Sequence, residues 1–358
     1  MTNRERERRT LSFSEVGGRG SVQETFFPWT MTVDRFREEG LPKSIADAVL
    51  HPNYEHVKDG LNLEKYFHVN WGGGVLAFEN YFGFDPVRRI CMGLPYRRNG
   101  EKITCADDWK RMKEDAEREL ELYFTDANIK AAFEPLREAH ARGDFSLRMH
   151  FEGFFWCPRE LLGIERHLFA FYDEPELLRD INEYTLQIYL KNLSKILDIL
   201  PVDVIFLNED LSGKNGPMLS PPLFDEFVGS YYKRLFPMLK EKGVGAVFTD
   251  TDGDFKQLIP NFLKAGVDGF VPMDVNAGMD IVAVRREFPQ LKFIGGYNKL
   301  CIAEGKDAID AEFDRIRPVI EGGGYIPGAD HQVAPSTSLE NYKYYVAKLT
   351  EVMTTWRA

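Results

Sequence analysis

The chain has 358 residues, of which 44% are hydrophobic and 28% are charged, and this composition suits one large globular domain. Its 45 basic and 56 acidic residues give a net charge of −11, which argues against nucleic acid or an anionic membrane surface as the main partner. Four cysteines without CxxC spacing, no apolar run near the roughly 18 residues of a membrane span, and no signal-peptide segment favour a soluble cytoplasmic protein with reduced thiols.

The first half of the chain predicts an arm, two strands and several helices. Residues 1–20 alternate in charge and end in glycines, so we expect a flexible N-terminal arm there, or a helix that leads into the barrel, and a single domain over residues 21–358. Residues 22–29 are the first candidate strand, and a short helix follows. Further along, two polar helices are expected over 106–142, a strand over 145–149, and long helices over 160–200.

From residue 201 onward one unit recurs five times: a short apolar run ends in polar residues, and a loop and an amphipathic helix follow. The polar ends hold Glu209 and Asp210, Asp250 and Asp252, Asp274, Asn298 and Lys299, and finally Asp330 and His331. Buried parallel strands have apolar runs of about 4–8 residues, and their alternation with helices implies βαβ units. The pattern favours an α/β fold, a single (β/α)8 barrel with an N-terminal extension. An open doubly wound sheet is the alternative, but no glycine-rich phosphate fingerprint follows any strand.

In such a barrel the polar ends of the strands converge on one cavity, where active sites lie. Charges that meet there cost desolvation unless they are paired or used. Three uses are open. The carboxylates and the histidine can hold a divalent cation, one of them can act as general acid or base, or the acids can pair with Lys214 and Lys299 to shape loops.

Several segments resemble the uroporphyrinogen decarboxylase superfamily. They are residues 153–165, 208–221, 252–254, 263–272 and 295–299, and the pair Asp330-His331 followed by Pro335. The resemblance implies a (β/α)8 barrel and one of two chemistries. One is decarboxylation of uroporphyrinogen without metal or cofactor. The other is methyl transfer between corrinoids and thiols or related acceptors, with zinc activating the acceptor.

The sequence departs from both groups of the superfamily. The decarboxylases carry an Arg-Gln-Ala-Gly-Arg motif whose arginines hold substrate carboxylates, whereas residues 27–33 here contain no arginine. The thiol methyltransferases carry His-x-Cys where this chain has Asp250 and Asp252, and a second cysteine near the position of Asp330. Uroporphyrinogen itself and a thiolate zinc site are therefore not expected. A harder metal site of Glu209, Asp250, Asp252 and His331 is an inference from ligand chemistry.

The leading hypothesis is methyl transfer in a corrinoid-linked one-carbon system. It takes a divalent metal such as zinc as cofactor, a methylated corrinoid as co-substrate and a corrinoid-carrying protein as partner. His331, Asp252, Asp250 and Glu209 are the predicted catalytic residues and metal ligands. The predicted substrate-binding residues are Trp29, Trp71, Arg148, Trp156, Arg159, Tyr297, Asn298, Lys299 and Asp330.

Two other hypotheses stay open. One is a metal-free decarboxylase of a tetrapyrrole or smaller carboxylic acid, in which His331 or Asp252 protonates the carbanion and Arg148 or Arg159 holds the carboxylate. The other is a barrel that binds a corrinoid or porphyrin without turning it over. The sequence does not decide between a monomer and a homodimer.

Overall fold

The structure is a computed structural model that describes residues 1–26, 28–50, 67–69, 75–97 and 101–356. Its α-helices are α1 (Asn3–Leu11), α2 (Thr30–Glu38), α3 (Lys43–Leu50), α4 (Val75–Phe82), α5 (Ala106–Tyr123), α6 (Asp126–Arg142), α7 (Trp156–Leu162), α8 (Ile164–Asp173), α9 (Pro175–Ile199), α10 (Pro221–Phe224), α11 (Ser230–Glu241), α12 (Ile259–Ala265), α13 (Ile281–Glu287), α14 (Leu300–Glu304), α15 (Lys306–Gly322) and α16 (Leu339–Thr355). Its strands are β1 (Phe67–Val69), β2 (Val87–Met92), β3 (Ser146–Glu152), β4 (Val204–Asn208), β5 (Ser212–Gly213), β6 (Gly216–Pro217), β7 (Ala246–Asp250), β8 (Gly269–Val271), β9 (Lys292–Tyr297) and β10 (Tyr325–Ala329).

Eight strands form one curled sheet in the order β1-β2-β3-β4-β7-β8-β9-β10. The seven strands from β2 to β10 in this order are parallel, and β1 pairs antiparallel with β2. Helices connect successive parallel strands and cover the outside of the sheet. The strands are short and apolar because both faces of the sheet are buried. The predicted (β/α)8 barrel is confirmed, and the five strands predicted after residue 201 are β4, β7, β8, β9 and β10.

Residues 21–26 lie between the two edges of the parallel sheet, β10 and β2. Val22 O accepts a hydrogen bond of 2.8 Å from Asp85 N, just before β2. On the other side, the Glu24 carboxyl accepts one of 2.9 Å from Ala329 N at the end of β10. The strand predicted over 22–29 is therefore in the right place, but its described residues form no strand ladder.

Two apolar layers hold the barrel together. The outer layer packs the helices against the sheet. The inner layer fills the barrel with side chains of alternate strand residues, namely Val204, Phe206, Ala246, Phe248, Val271, Ile294 and Ile326, together with Leu11 from α1. Because successive strand residues face opposite sides of the sheet, this alternation fixes which side chains point into the barrel.

Residues 3–11 form the helix α1 across the N-terminal end of the barrel, which agrees with the predicted helix and not with the predicted flexible arm. Glu7 of α1 is fully buried and pairs with Arg148 on β3 at 3.1 Å. Arg4 pairs with Asp203, just before β4, at 2.7 Å. Burial of an ion pair and of Leu11 ties this helix to the barrel, which charge alternation alone did not indicate.

Candidate functional site

Five parallel strands end in polar residues that meet at one edge of the barrel. We call this set the mouth, and it consists of Asp210 after β4, Asp250 and Asp252 at and after the end of β7, Asp274 after β8, Asn298 and Lys299 after β9, and Asp330 and His331 after β10. The carboxyl ends of parallel barrel strands lie at one face, so residues distant in sequence come together there.

His331 forms an ion pair with Asp252, with 3.0 Å between His331 Nε2 and Asp252 Oδ1. Burial of the ring opposes its protonation, but the hydrogen bond and the charge of Asp252 outweigh burial and raise the pKa of His331 above its ordinary value. The second ring nitrogen, Nδ1, is buried and has no hydrogen-bond partner within the described residues. His331 thus gives one nitrogen to Asp252 and has the other available for a ligand.

Asp274, Asp330 and His331 each offer one ligand atom, and these atoms lie within 4.8 Å of one another. Asp330 is fully buried and held by two loops: Val275 N donates to its Oδ2 at 3.0 Å, and Lys299 N donates to its Oδ1 at 3.1 Å. Burial raises the pKa of Asp330 in spite of these hydrogen bonds. Two carboxylates and an imidazole nitrogen are ligands that suit a divalent cation.

Asp210 and Asp250 extend the acidic surface on the side of Asp252. Burial first, and then the charges of Asp210 and Asp252, raise the pKa of Asp250 well above its usual range. Burial and the charge of Asp252 also raise the pKa of Asp210, although Asp252 N donates a hydrogen bond of 3.2 Å to Asp210 Oδ1. These raised pKa values suit the two carboxyl groups to exchange a proton with a bound molecule.

Trp156 and Arg159 of α7 border the mouth beside Asp210. The Arg159 guanidinium donates a hydrogen bond of 2.7 Å to Asp210 O and lies 4.7 Å from the centre of the Trp156 ring. Both side chains are partly exposed. Their role in substrate binding stays a prediction.

The family profile described as uroporphyrinogen decarboxylase (URO-D) matches residues 148–352, more than half of the chain. The chain belongs to the uroporphyrinogen decarboxylase family. This membership confirms the resemblance seen in the sequence, and it agrees with the barrel. No curated protein sequence matches the chain.

A solved structure shows the same fold for this uroporphyrinogen decarboxylase family member. A methyltransferase from Methanosarcina mazei has a TM-score of 0.61 at 16% identity, and the match covers 98% of this chain and 99% of that one. A Listeria monocytogenes protein assigned as a vitamin-B12-independent methionine synthase has a TM-score of 0.42 at 12% identity, with 93% and 96% covered, which is too distant to bear on the fold. Across the described residues, no helix has the length and apolar character that a membrane crossing requires.

Glu209 is not part of the mouth, contrary to its predicted role as catalytic residue and metal ligand. Its side chain is fully buried, and its carboxylate accepts hydrogen bonds from the backbone N–H groups of Phe154, Phe155 and Trp156 at 2.9, 2.7 and 3.1 Å. Tyr232 donates a further hydrogen bond to it. Burial raises the pKa of Glu209 to about 7, and these hydrogen bonds oppose the rise. Glu209 thus fastens the start of α7 to β4, beneath the mouth.

Arg148 also lies outside the mouth, so the prediction that it holds a substrate carboxylate is contradicted. β3 continues to Glu152, three residues beyond the predicted end, which leaves Arg148 in the lower half of the strand. There it is 1% exposed, pairs with Glu7 and contacts Gln23. Its guanidinium holds α1, through Glu7, at the N-terminal end of the barrel.

Tyr297 does not line the pocket as predicted, because it is on the outward face of β9. It is fully buried, its hydroxyl donates to Ile309 O at 3.3 Å, and its ring packs against Phe313 and Tyr345 of the helix layer. The next two residues, Asn298 and Lys299, are partly buried at the mouth, in agreement with their predicted place.

Two further tryptophans, Trp29 and Trp71, were predicted to bind the substrate. Trp29 is 52% exposed, and its backbone N–H donates to Val333 O at 3.3 Å, so it lies at the rim near His331. Trp71 lies outside the described residues. Their contact with a substrate stays a prediction.

Asp274 was predicted to face the barrel cavity but was not among the named metal ligands. Its signal was available, since it directly follows an apolar run in the same way as Asp252 and Asp330. Glu24 has no such signal, because nothing near it in sequence indicates that its carboxyl bonds to Ala329 N, 305 residues away.

Proposed function

We propose that this member of the uroporphyrinogen decarboxylase family is a metal-dependent methyltransferase of a corrinoid-linked one-carbon system. The observation that carries the proposal is the grouping of Asp274, Asp330 and His331, whose ligand atoms lie within 4.8 Å of one another. The fold shared with a Methanosarcina methyltransferase is compatible with it.

The residues of the mouth fit a divalent cation by two criteria. His331 Nδ1 is a buried nitrogen without a hydrogen-bond partner in the described part of the chain. The neighbouring donors are carboxylate oxygens, which together with imidazole suit zinc and harder divalent ions. This set replaces the thiolates that the thiol methyltransferases of the superfamily would lead one to expect. It shares only His331 with the predicted set of Glu209, Asp250, Asp252 and His331.

Each residue of the mouth would then have a separate task. Asp274, Asp330 and His331 would hold the cation, and Asp252 would orient the His331 ring through Nε2. A bound divalent cation supplies Lewis acidity that lowers the pKa of a methyl acceptor. Asp250, whose carboxyl pKa is raised, would take the proton that the acceptor loses as it receives the methyl group, and the corrinoid would keep the electron pair of the broken cobalt–carbon bond.

Charge favours this reaction over decarboxylation of a tetrapyrrole. Five carboxyl groups line the mouth, against Lys299 and the titratable His331, and such a surface repels a polycarboxylate. Arg148, one of the two arginines that could hold a carboxylate, is buried against Glu7. Arg159 already bonds to Asp210 O.

Metal content of the protein purified without chelator tests the cation site. We expect about one divalent ion per chain. Asp274→Asn and His331→Ala should each lower the affinity of the protein for this ion at least tenfold. Asp254→Asn is the matched control, because Asp254 belongs to the same loop as Asp252 but pairs with Lys256 at 3.2 Å. A metal-free wild type, or loss of metal in the control alone, would overturn the site.

Turnover tests the reaction itself. Methylcobalamin incubated with the metal-loaded protein and a panel of thiols and other acceptors should lose its methyl group, as followed by the visible spectrum. His331→Ala should reduce this rate at least a hundredfold, the order expected for loss of a positioned acid–base group or ligand. Release of CO2 from carboxylic acids without any corrinoid would favour the decarboxylase instead.

A further inference from the structure

The segment formed by residues 24–26 lies directly beneath the end of β10, where His331 begins the loop. Glu24 Oε1 accepts a hydrogen bond of 2.9 Å from Ala329 N, and Ala329 precedes Asp330 and His331 in sequence. Two residues after Glu24, the Phe26 ring lies 6.1 Å from the His331 ring, measured between centroids. One short segment therefore contacts both the backbone that carries His331 and its ring.

The approach of this segment to β10 is close and built into the sequence. A Cβ on Gly328 would lie 3.0 Å from Thr25 N and 3.2 Å from Glu24 Oε1, so a side chain at that position would push the segment away. In a parallel sheet Ala329 N–H would normally bond to a neighbouring strand, and on this side the Glu24 carboxyl takes that place. Glu24 therefore completes the sheet at the edge that carries His331.

The second oxygen of the Glu24 carboxyl also accepts a hydrogen bond. Tyr342 of α16 donates a hydrogen bond of 3.1 Å to Glu24 Oε2. Glu24 is 6% exposed and Tyr342 is fully buried, so the carboxyl is held between a helix of the outer layer and the last strand. Buried polar contacts of this kind fix the orientation of the groups that they join.

We propose that Glu24 and Phe26 are positioning residues for His331: Glu24 fixes the backbone at Ala329, and Phe26 packs against the imidazole ring. The proposal deepens the proposed function and rests on the role of His331 given there. Outer contacts that orient a metal-binding histidine change metal affinity without touching the metal.

The test compares variants of similar size, because a cavity of about 10 Å³ lined in part by Glu24, Thr25 and Glu79 would grow if a small residue replaced Glu24. Glu24→Met removes the acceptor, and Glu24→Gln retains one oxygen for Ala329 N. We expect Glu24→Met to raise the dissociation constant for zinc about tenfold and Glu24→Gln to stay within about twofold of wild type. Phe26→Leu, at a partly exposed position, is a second variant in case Glu24→Met folds poorly. It should also weaken zinc binding.

The imidazole NMR resonances of His331 in the metal-free protein give a readout that does not depend on metal binding. Glu24→Met and Phe26→Leu should move them, whereas Glu24→Gln should restore them. Tyr344→Phe, on the same helix as Tyr342, is the control for a general loss of stability, since it removes a hydrogen bond of 2.9 Å to Asp310 and leaves both hydrogen bonds of Glu24 in place.

Three results decide the matter. Moved resonances and weakened zinc binding in Glu24→Met, together with wild-type resonances and wild-type zinc affinity in Glu24→Gln and Tyr344→Phe, support the proposal. Wild-type resonances in a folded Glu24→Met and in Phe26→Leu overturn it, and so does an equal change in Tyr344→Phe. If the wild type binds no zinc, the proposed function fails, and the resonances alone still test whether Glu24 and Phe26 position His331.

Discussion

The contact between Gly153 and Glu209 gives a sharp test of how the mouth is supported. A Cβ on Gly153 would lie within 2.5 Å of Glu209 Oε2 and closer still to the other carboxylate oxygen, which no real side chain tolerates. Gly153→Ala must therefore displace the carboxylate from the start of α7. Since φ of Gly153 is not in the left-handed region, the effect would come from this overlap and not from backbone strain.

The cost follows from the hydrogen bonds that the displaced carboxylate would lose. Glu209 accepts three from the backbone of Phe154, Phe155 and Trp156. At about 1–1.5 kcal/mol for each, Gly153→Ala should lower the free energy of unfolding by about 3–5 kcal/mol. The measurement is urea denaturation at pH 7 followed by far-UV circular dichroism.

Two controls separate the overlap from other effects. Gly213→Ala places a methyl group in open space at an ordinary φ, so it should cost less than about 0.5 kcal/mol. Gly153→Ala made in a Glu209→Ala background should cost less than about 1 kcal/mol, because the carboxylate is no longer there to be displaced. If Gly153→Ala lowers the free energy of unfolding no more than Gly213→Ala does, or by the same amount in both backgrounds, Glu209 does not hold the start of α7 as described.

Two further predictions concern buried charges. Burial raises the pKa of Glu209 from 4.5 to about 7, so its contribution to stability is full below pH 4.5 and is lost as the pH rises through 7. The free energy of unfolding of the wild type relative to Glu209→Gln should therefore fall by up to about 3 kcal/mol between pH 4.5 and 8. A difference between the two proteins that does not change with pH would contradict this. Arg148→Met leaves Glu7 buried without its cation, so we expect a loss of about 3–5 kcal/mol in the free energy of unfolding with unchanged metal content. A stable variant that loses only substrate affinity would instead show that Arg148 belongs to the site.

The sequence by itself determined the last five parallel strands of the barrel and the polar residues that follow them. Apolar runs that end in acidic residues indicated β4, β7, β8, β9 and β10. Because parallel barrel strands present their carboxyl ends at one face, the same pattern placed Asp252, Asp274, Asp330 and His331 together. No long-range information was needed for either conclusion.

The tertiary structure alone decided which nearby polar residues reach the mouth. Arg148, Glu209 and Tyr297 adjoin strand ends or occupy strands in sequence, yet they face the barrel floor, the start of α7 and the helix layer. The two-residue repeat of a strand shows which residues share a face. The register and the true length of each strand decide which face points into the barrel and how far along the barrel each side chain lies. The hydrogen bond from Ala329 N to Glu24 joins two residues that are 305 positions apart, and it exists only because the barrel brings its first segment against its last strand.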